Sequence, residues 1–147
     1  MIAVVQRVTS SSVTVEGACV ASIGPGLHVL LGVLKEDSGE EIPKLAEKIL
    51  NLRIFSDDAG KMNRSLLDVG GEMLVVSQFT LSADVRRGRR PSFDGAAEPE
   101  TARKLYEAFV AWAAEAVPVQ TGVFGAHMEL EICNDGPVTI IIDTSQL

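Results

Sequence analysis

The residues Ser77, Gln78, Phe79 and Thr80 follow directly on the apolar run "EMLVV". Two hydroxyls and an amide at the end of a buried strand can face a substrate together with their backbone amides, although edge residues that merely satisfy one another look the same in sequence. A hydroxyl nucleophile needs a base. Of the two histidines, His28 lies inside an apolar run and His127 in "GAHMELEI". Neither stands in a recognisable Ser-His-Asp arrangement, so His28 is expected in the core. HExxH, P-loop and GxGxxG patterns do not occur, which removes the usual machinery for metal-assisted and nucleotide hydrolysis. No metal or cofactor is expected.

Two further stretches carry chemical potential. In "ICNDGPVTIIID" (132–143), Gly136 and Pro137 stand where a strand rich in β-branched residues should already be pairing. Proline fixes its own φ and cannot donate a ladder hydrogen bond, so this backbone is stiff and partly unpaired. In "DVRRGRRPSF", Arg86, Arg87, Arg89 and Arg90 surround Gly88. A loop of this kind is either solvated or grips phosphates, and its side chains allow both.

The elements that must position these residues follow from periodicity. Residues 2–15 alternate as a long strand, 18–23 form its hairpin partner, and "LHVLLGVL" after "GPG" is apolar enough for a strand buried on both faces. In "DSGEEIPKLAEKILNLRIF", Ile42, Leu45, Ala46, Ile49 and Leu50 recur at helical spacing. A second helix lies in "EPETARKLYEAFVAWAAEAV", with Leu105, Phe109, Trp112 and Ala113 on its core stripe. "EMLVVSQFTL" reads as a central strand. Residues 119–133 and 137–143 read as two more strands joined through "NDG". "SDDAGKMN" resembles the start of a calcium loop, but its twelfth position from Asp57 is Asp68 rather than a glutamate, which leaves a β-turn. The sum is an α+β domain with a curved, mostly antiparallel sheet or barrel-like β core and two main helices on one side.

A chain of 147 residues fits a single domain over 1–147, without repeats or low-complexity tracts. No apolar run approaches the roughly 20 residues that cross a bilayer, so no membrane contact is expected. The N-terminus reads as a strand and carries no leader pattern. Cys19 and Cys133 are distant in sequence, lack CxxC spacing and sit among apolar neighbours, which predicts buried free thiols and a cytoplasmic protein. With 13 basic and 20 acidic residues the formal charge is −7, against broad adhesion to nucleic acid.

"SQFTL" (77–81) with "NDGPVT" (134–139) resembles the paired signatures of the D-aminoacyl-tRNA deacylases, and "MIAVVQRV", "RIFSDDAGKMN", "RRPSF" and "TGVFGAHM" are similar to that family over nearly the whole chain. The resemblance implies a homodimer with active sites at the subunit interface, in which a cis Gly136–Pro137 peptide of one subunit enters the site of the other and selects chirality. It implies that Arg7 orients that peptide, although a surface strand arginine reads the same. Phe124 would stack on the 3′-terminal adenosine or serve as a core residue. The arginine loop would approach acceptor-stem phosphates of the aminoacyl-tRNA.

Two mechanisms fit such a site. In one, the 2′-hydroxyl of the tRNA assists ester hydrolysis while backbone amides near Phe79 and Thr80 hold the oxyanion; in the other, Thr80 is a nucleophile. Two rivals stand outside this reading: a noncatalytic RNA-binding module, and a serine hydrolase using Ser77.

Overall fold

In the computed structural model, which describes residues 1–147, a single long strand organises the sheet. Strand β1 (Ile2–Val15) has one neighbour along its whole length and two in succession on its other edge. Its first half pairs antiparallel with β3 (Gly26–Gly32), from Ile2↔Gly32 to Val8↔Gly26. Its second half pairs with β2 (Ala18–Ile23), from Ser11↔Ile23 to Val15↔Ala18. The strand β8 (Glu129–Asp143) runs antiparallel along the other edge. Beyond β3 lie β6 (Glu72–Ser77) and β7 (Val119–Thr121), both added in parallel. The curved sheet is therefore mixed, with its antiparallel part centred on β1. The parallel additions are possible because long crossovers separate β3 from β6 and β6 from β7.

One face of the sheet is covered by α1 (Ile42–Leu50) and α3 (Pro99–Ala114). Ile42, Leu45, Ala46, Ile49 and Leu50 are buried there against Val5, Leu27, Val29, Leu31, Met73, Val75 and Phe109. Trp112 and Leu105 pack at the margin of this core, half-buried. The other face is closed by the far halves of β1, β2 and β8, which curl over β6. Val8, Val13, Ala21, Ile23, Leu74 and Val76 fill the space between, with Leu130 and Ile132 against them. The Gln120 side chain of β7 accepts from the Ser22 amide of β2 at 2.8 Å, drawing the two free edges together into a nearly closed barrel.

Three expectations change. The segment "NDGP" is not a turn between two strands, because β1 is long enough to pair with residues on both sides of it. Between Gln6↔Thr139 and Val8↔Asn134, β1 advances two residues while β8 advances five, so Asp135, Gly136, Pro137 and Val138 leave the ladder as a bulge. The expected strand over 119–133 stops at Thr121, and a loop through Gly125, at φ +77°, precedes β8. Cys19 and Cys133 are exposed free thiols rather than buried ones. A register shift in the β1–β2 pair leaves Val20 unpaired between Ala21 and Cys19, turning Cys19 outward; Cys133 sits on the outward side of β8 between Ile132 and Asn134.

Two short elements complete the path. Strands β4 (Phe55–Ser56) and β5 (Met62–Arg64) form a hairpin, in whose turn Asp57 Oδ1 accepts from the amides of Ala59 and Lys61, each at 2.9 Å. Helix α2 (Leu66–Val69) begins at a reciprocal Ser65–Asp68 capping box. No helix is long and apolar enough to cross a membrane.

Candidate active site

At the end of β6 the chain leaves the sheet. Gln78 has φ −140° and ψ 84°, and residues Phe79–Ser82 form a 3₁₀ turn rather than more strand. Its position is fixed by the Gln78 amide, which donates to the Leu31 carbonyl at 2.8 Å, and by Gly32, where an added Cβ would lie 3.0 Å from Leu81 Cβ and 3.1 Å from the Gln78 carbonyl. Only glycine lets β3 and this turn approach so closely. The first amides of a 3₁₀ turn have no partner within it, so those of Phe79 and Thr80 are free to meet a ligand.

Beside the turn opens a cavity of about 460 Å³, walled by Ser77, Gln78 and Phe79, by residues Phe124–Met128 of the loop before β8, and by Ala97, Pro99 and Ala102 around the start of α3. Three segments distant in sequence thus converge on it. The Phe79 ring is 56 % exposed and meets Phe93 edge to face at 5.1 Å. Thr80 is exposed, and its Oγ1 lies 2.6 Å from Gln78 Nε2, which donates to it. No histidine or carboxylate hydrogen-bonds Ser77 or Thr80. His127 lines the cavity without a hydrogen bond to either hydroxyl, a placement that its sequence context did not suggest.

Phe124 is held from α3. Its ring centroid is 5.9 Å from that of Tyr106 and 5.4 Å from the Arg103 guanidinium carbon. The Tyr106 hydroxyl donates to the Val75 carbonyl at 2.8 Å, and burial pushes this phenol up to about 12, so it remains a donor at neutral pH. Phe124 therefore packs against the core and also walls the cavity.

His28 is fully buried but lies on the curled face, away from the cavity. Ser11 Oγ spends its one proton on the Glu131 carbonyl at 2.8 Å, so at 2.9 Å it accepts from His28 Nδ1–H, leaving Nε2 without a partner. Burial lowers the imidazole to about 4.

The bulge at Asp135–Val138 is gripped at two points. Asn134 spans it: its side-chain oxygen accepts from the Val138 amide at 2.8 Å and its Nδ2 donates to the Val138 carbonyl at 3.1 Å. Arg7, buried in β1, donates from Nε to the Asp135 carbonyl at 2.9 Å and from its terminal nitrogen to the Ile54 carbonyl at 2.5 Å. The Gly136–Pro137 peptide is cis and Gly136 has φ +143°. Both residues are exposed, and neither lines the cavity. Arg7 is thus a buried side chain bonded to two backbone carbonyls, and the surface reading of that residue fails.

The arginine loop rises beside Phe79. Asp84 and Ser92 bridge its base, with backbone hydrogen bonds of 2.8 and 3.0 Å, and Gly88 turns its tip at φ +70°. Arg86 is committed to Asp84 through contacts of 2.5 to 3.0 Å, which hold that carboxyl at about 2. Arg87, Arg89 and Arg90 are exposed and make no ion pair. No three His, Cys, Asp or Glu side chains converge to hold a metal ion.

Comparison with known proteins finds relatives over nearly the whole chain. Residues 4–143 match the family model described as D-Tyr-tRNA(Tyr) deacylase. The chain is 58% identical over 147 residues to a D-aminoacyl-tRNA deacylase of Persephonella marina, covering 100% of both chains. It is 60% identical over 148 residues to one of Chloroflexus aurantiacus, covering 100% of this chain and 92% of that one. Among solved structures, the c-Myc DNA unwinding element binding protein superposes with a TM-score of 0.93 at 44% identity, covering 97% of this chain and 98% of that one. A probable eukaryotic D-amino acid tRNA deacylase, at 18% identity, shares the fold with a TM-score of 0.85 over 96% of this chain and 97% of that one.

Proposed function

The chain belongs to the D-Tyr-tRNA(Tyr) deacylase family and is a D-aminoacyl-tRNA deacylase; from that premise we propose that residues 1–147 act as one editing domain whose site is completed by a second copy. The observation that carries this reading is the separation within one protomer. A rigidly held Gly136–Pro137 peptide projects outward, while the cavity beside Ser77–Phe79 lacks any such group. In a homodimer the peptide of one subunit enters the cavity of the other. Pro137, Thr139 and Ile141 are all exposed on one side of β8, and Ile141, 71 % exposed, extends the surface a second protomer would cover.

Selection is steric. A D-aminoacyl group directs its α-amino group to the Gly-Pro carbonyls and its side chain outward, whereas an L-aminoacyl group drives its Cβ into that backbone. A glycyl ester has no Cβ to exclude, so glycyl-tRNA is also cleaved. The terminal adenine stacks on Phe124, a contact worth about 1–3 kcal/mol. Arg87, Arg89 and Arg90 meet acceptor-stem phosphates, so an acidic protein binds RNA through local charge, and Arg86 contributes only where Asp84 releases it.

Water attacks the ester carbonyl with the help of the terminal 2′-hydroxyl, the amides of Phe79 and Thr80 stabilise the oxyanion, and the ribose oxygen leaves with a proton. One such donor contributes about 2.7–4 kcal/mol. This version is favoured because no side-chain base hydrogen-bonds Thr80 or Ser77. The two free thiols accord with a reducing, cytoplasmic setting.

Parallel assays with D- and L-tyrosyl-tRNA test the proposal. D-tyrosyl-tRNA and glycyl-tRNA should be hydrolysed and L-tyrosyl-tRNA left intact. Equal cleavage of both enantiomers removes the chiral filter, and a protein that protects both esters is an RNA binder.

A further inference from the structure

The cavity that receives the terminal nucleoside contains no lysine or arginine, yet every nucleotide that enters it carries a phosphate on its 5′ side. Phe124 is shared by two spaces. Its ring walls the cavity and also borders a hollow of about 400 Å³ lined by Arg103, Tyr106, Glu107, Val110 and Thr121. Arg103 stands over the ring at 5.4 Å from its centroid. Its only ion pair is with Glu107 one helical turn on, at 3.5 Å with both side chains more than half exposed, a contact weak enough to give way to a phosphate. A guanidinium stacked on an aromatic face presents its donors edgewise, in the planar fork that matches phosphate oxygens.

We propose that Arg103 and this hollow bind the phosphodiester on the 5′ side of the terminal nucleoside, together with the penultimate nucleotide. This rests on the substrate assigned above and adds a subsite to it. The terminal adenine takes the cavity side of Phe124, the backbone passes the edge of one phenyl ring, and the phosphate meets Arg103 on the far side. Phe124 then divides consecutive nucleotides. Tyr106, fixed by its hydrogen bond to Val75, keeps the ring from rotating as the strand is threaded past it.

Binding and turnover separate this role from mere support of Phe124. Titrations should show cytidylyl-(3′,5′)-adenosine binding about tenfold tighter than adenosine, an advantage that Arg103→Gln abolishes and Arg103→Lys partly restores. With D-tyrosyl-tRNA, Arg103→Gln should raise KM about tenfold with kcat little changed, and with D-tyrosyl-adenosine, which lacks the phosphate, the rise in KM should be several-fold smaller. Equal losses on the two substrates would mean that Arg103 only shapes Phe124, and no loss on either would leave the phosphate without its partner; both outcomes overturn the proposal. Should the wild-type protein hydrolyse no D-aminoacyl ester, the assigned function falls, while the dinucleotide titration still decides the subsite.

Discussion

Arg7 Nε donates to the carbonyl of Asp135 at 2.9 Å, so a guanidinium rooted in the middle of β1 holds the residue just before Gly136. The same side chain reaches Ile54, tying the bulge of β8 to the segment after α1. The bulge is exposed outward and fastened from within, an arrangement that suits a backbone surface whose shape must not yield.

Arg7→Ala leaves two carbonyls without their donor inside the protein. The expected cost is about 2–4 kcal/mol, measurable by urea unfolding. Arg7→Lys keeps the charge but cannot span both carbonyls, and its expected signature is milder destabilisation with increased hydrolysis of L-tyrosyl-tRNA. Unchanged enantiomer discrimination in a folded Arg7→Lys protein would remove Arg7 from the filter.

At Gly136, φ is +143° and an added Cβ would lie 2.7 Å from Val138 Cγ2 and 2.8 Å from the Val138 amide. Gly136→Ala forces the bulge to move, with strain of about 1–3 kcal/mol. Deacylation of D-tyrosyl-tRNA should fall by about tenfold or more while circular dichroism reports an intact fold.

Asn134 closes the bulge from the side. Asn134→Ala opens both contacts with Val138 and should lower stability by about 1–2 kcal/mol, and the loss of D-tyrosyl-tRNA turnover should exceed what unfolding alone accounts for. Asn134→Asp restores only the acceptor and should recover part of each.

Thr80→Ala distinguishes the two chemistries. Turnover of D-tyrosyl-tRNA within about twofold of wild type is expected if Thr80 contributes only its amide; a nucleophile's loss would cost about 10⁴-fold or more. A substrate ending in 2′-deoxyadenosine should in turn react slowly with the unmodified protein. Rapid cleavage of that substrate would rule out assistance by the tRNA hydroxyl.

His28 makes stability depend on pH. Its folded value near 4 lies below the ordinary 6.5, so the unfolded chain binds the extra proton first as pH falls. The contribution is fully present above about pH 6.5 and declines between pH 6.5 and 4, by about 3 kcal/mol in all. His28→Asn can still donate to Ser11 but does not titrate, and its unfolding free energy should change less over that interval than the wild type's.

Much of this architecture is written locally. Ile42, Leu45, Ala46, Ile49 and Leu50 are all buried as their spacing requires, and β3 is buried on both faces as its apolar run implies, whereas β6 ends at Ser77, short of the strand read through Leu81. Gly136 and Pro137 announce a stiff, imperfectly paired backbone because their conformational limits belong to the residues themselves.

Other features depend on what lies alongside. Whether "NDGP" reverses the chain or bulges from it is decided by β1, whose length offers ladder partners on both sides. The outward turn of Cys19 follows from one unpaired residue, Val20, which switches the faces of β2. Arg7 looks like any strand arginine until the bulge of β8 and the segment after α1 place two carbonyls before it. Periodicity and backbone preference act over a few residues and survive in sequence; the union of Ser77–Phe79, Phe124–Met128 and the start of α3 into one cavity arises only when the sheet curls and α3 packs on it.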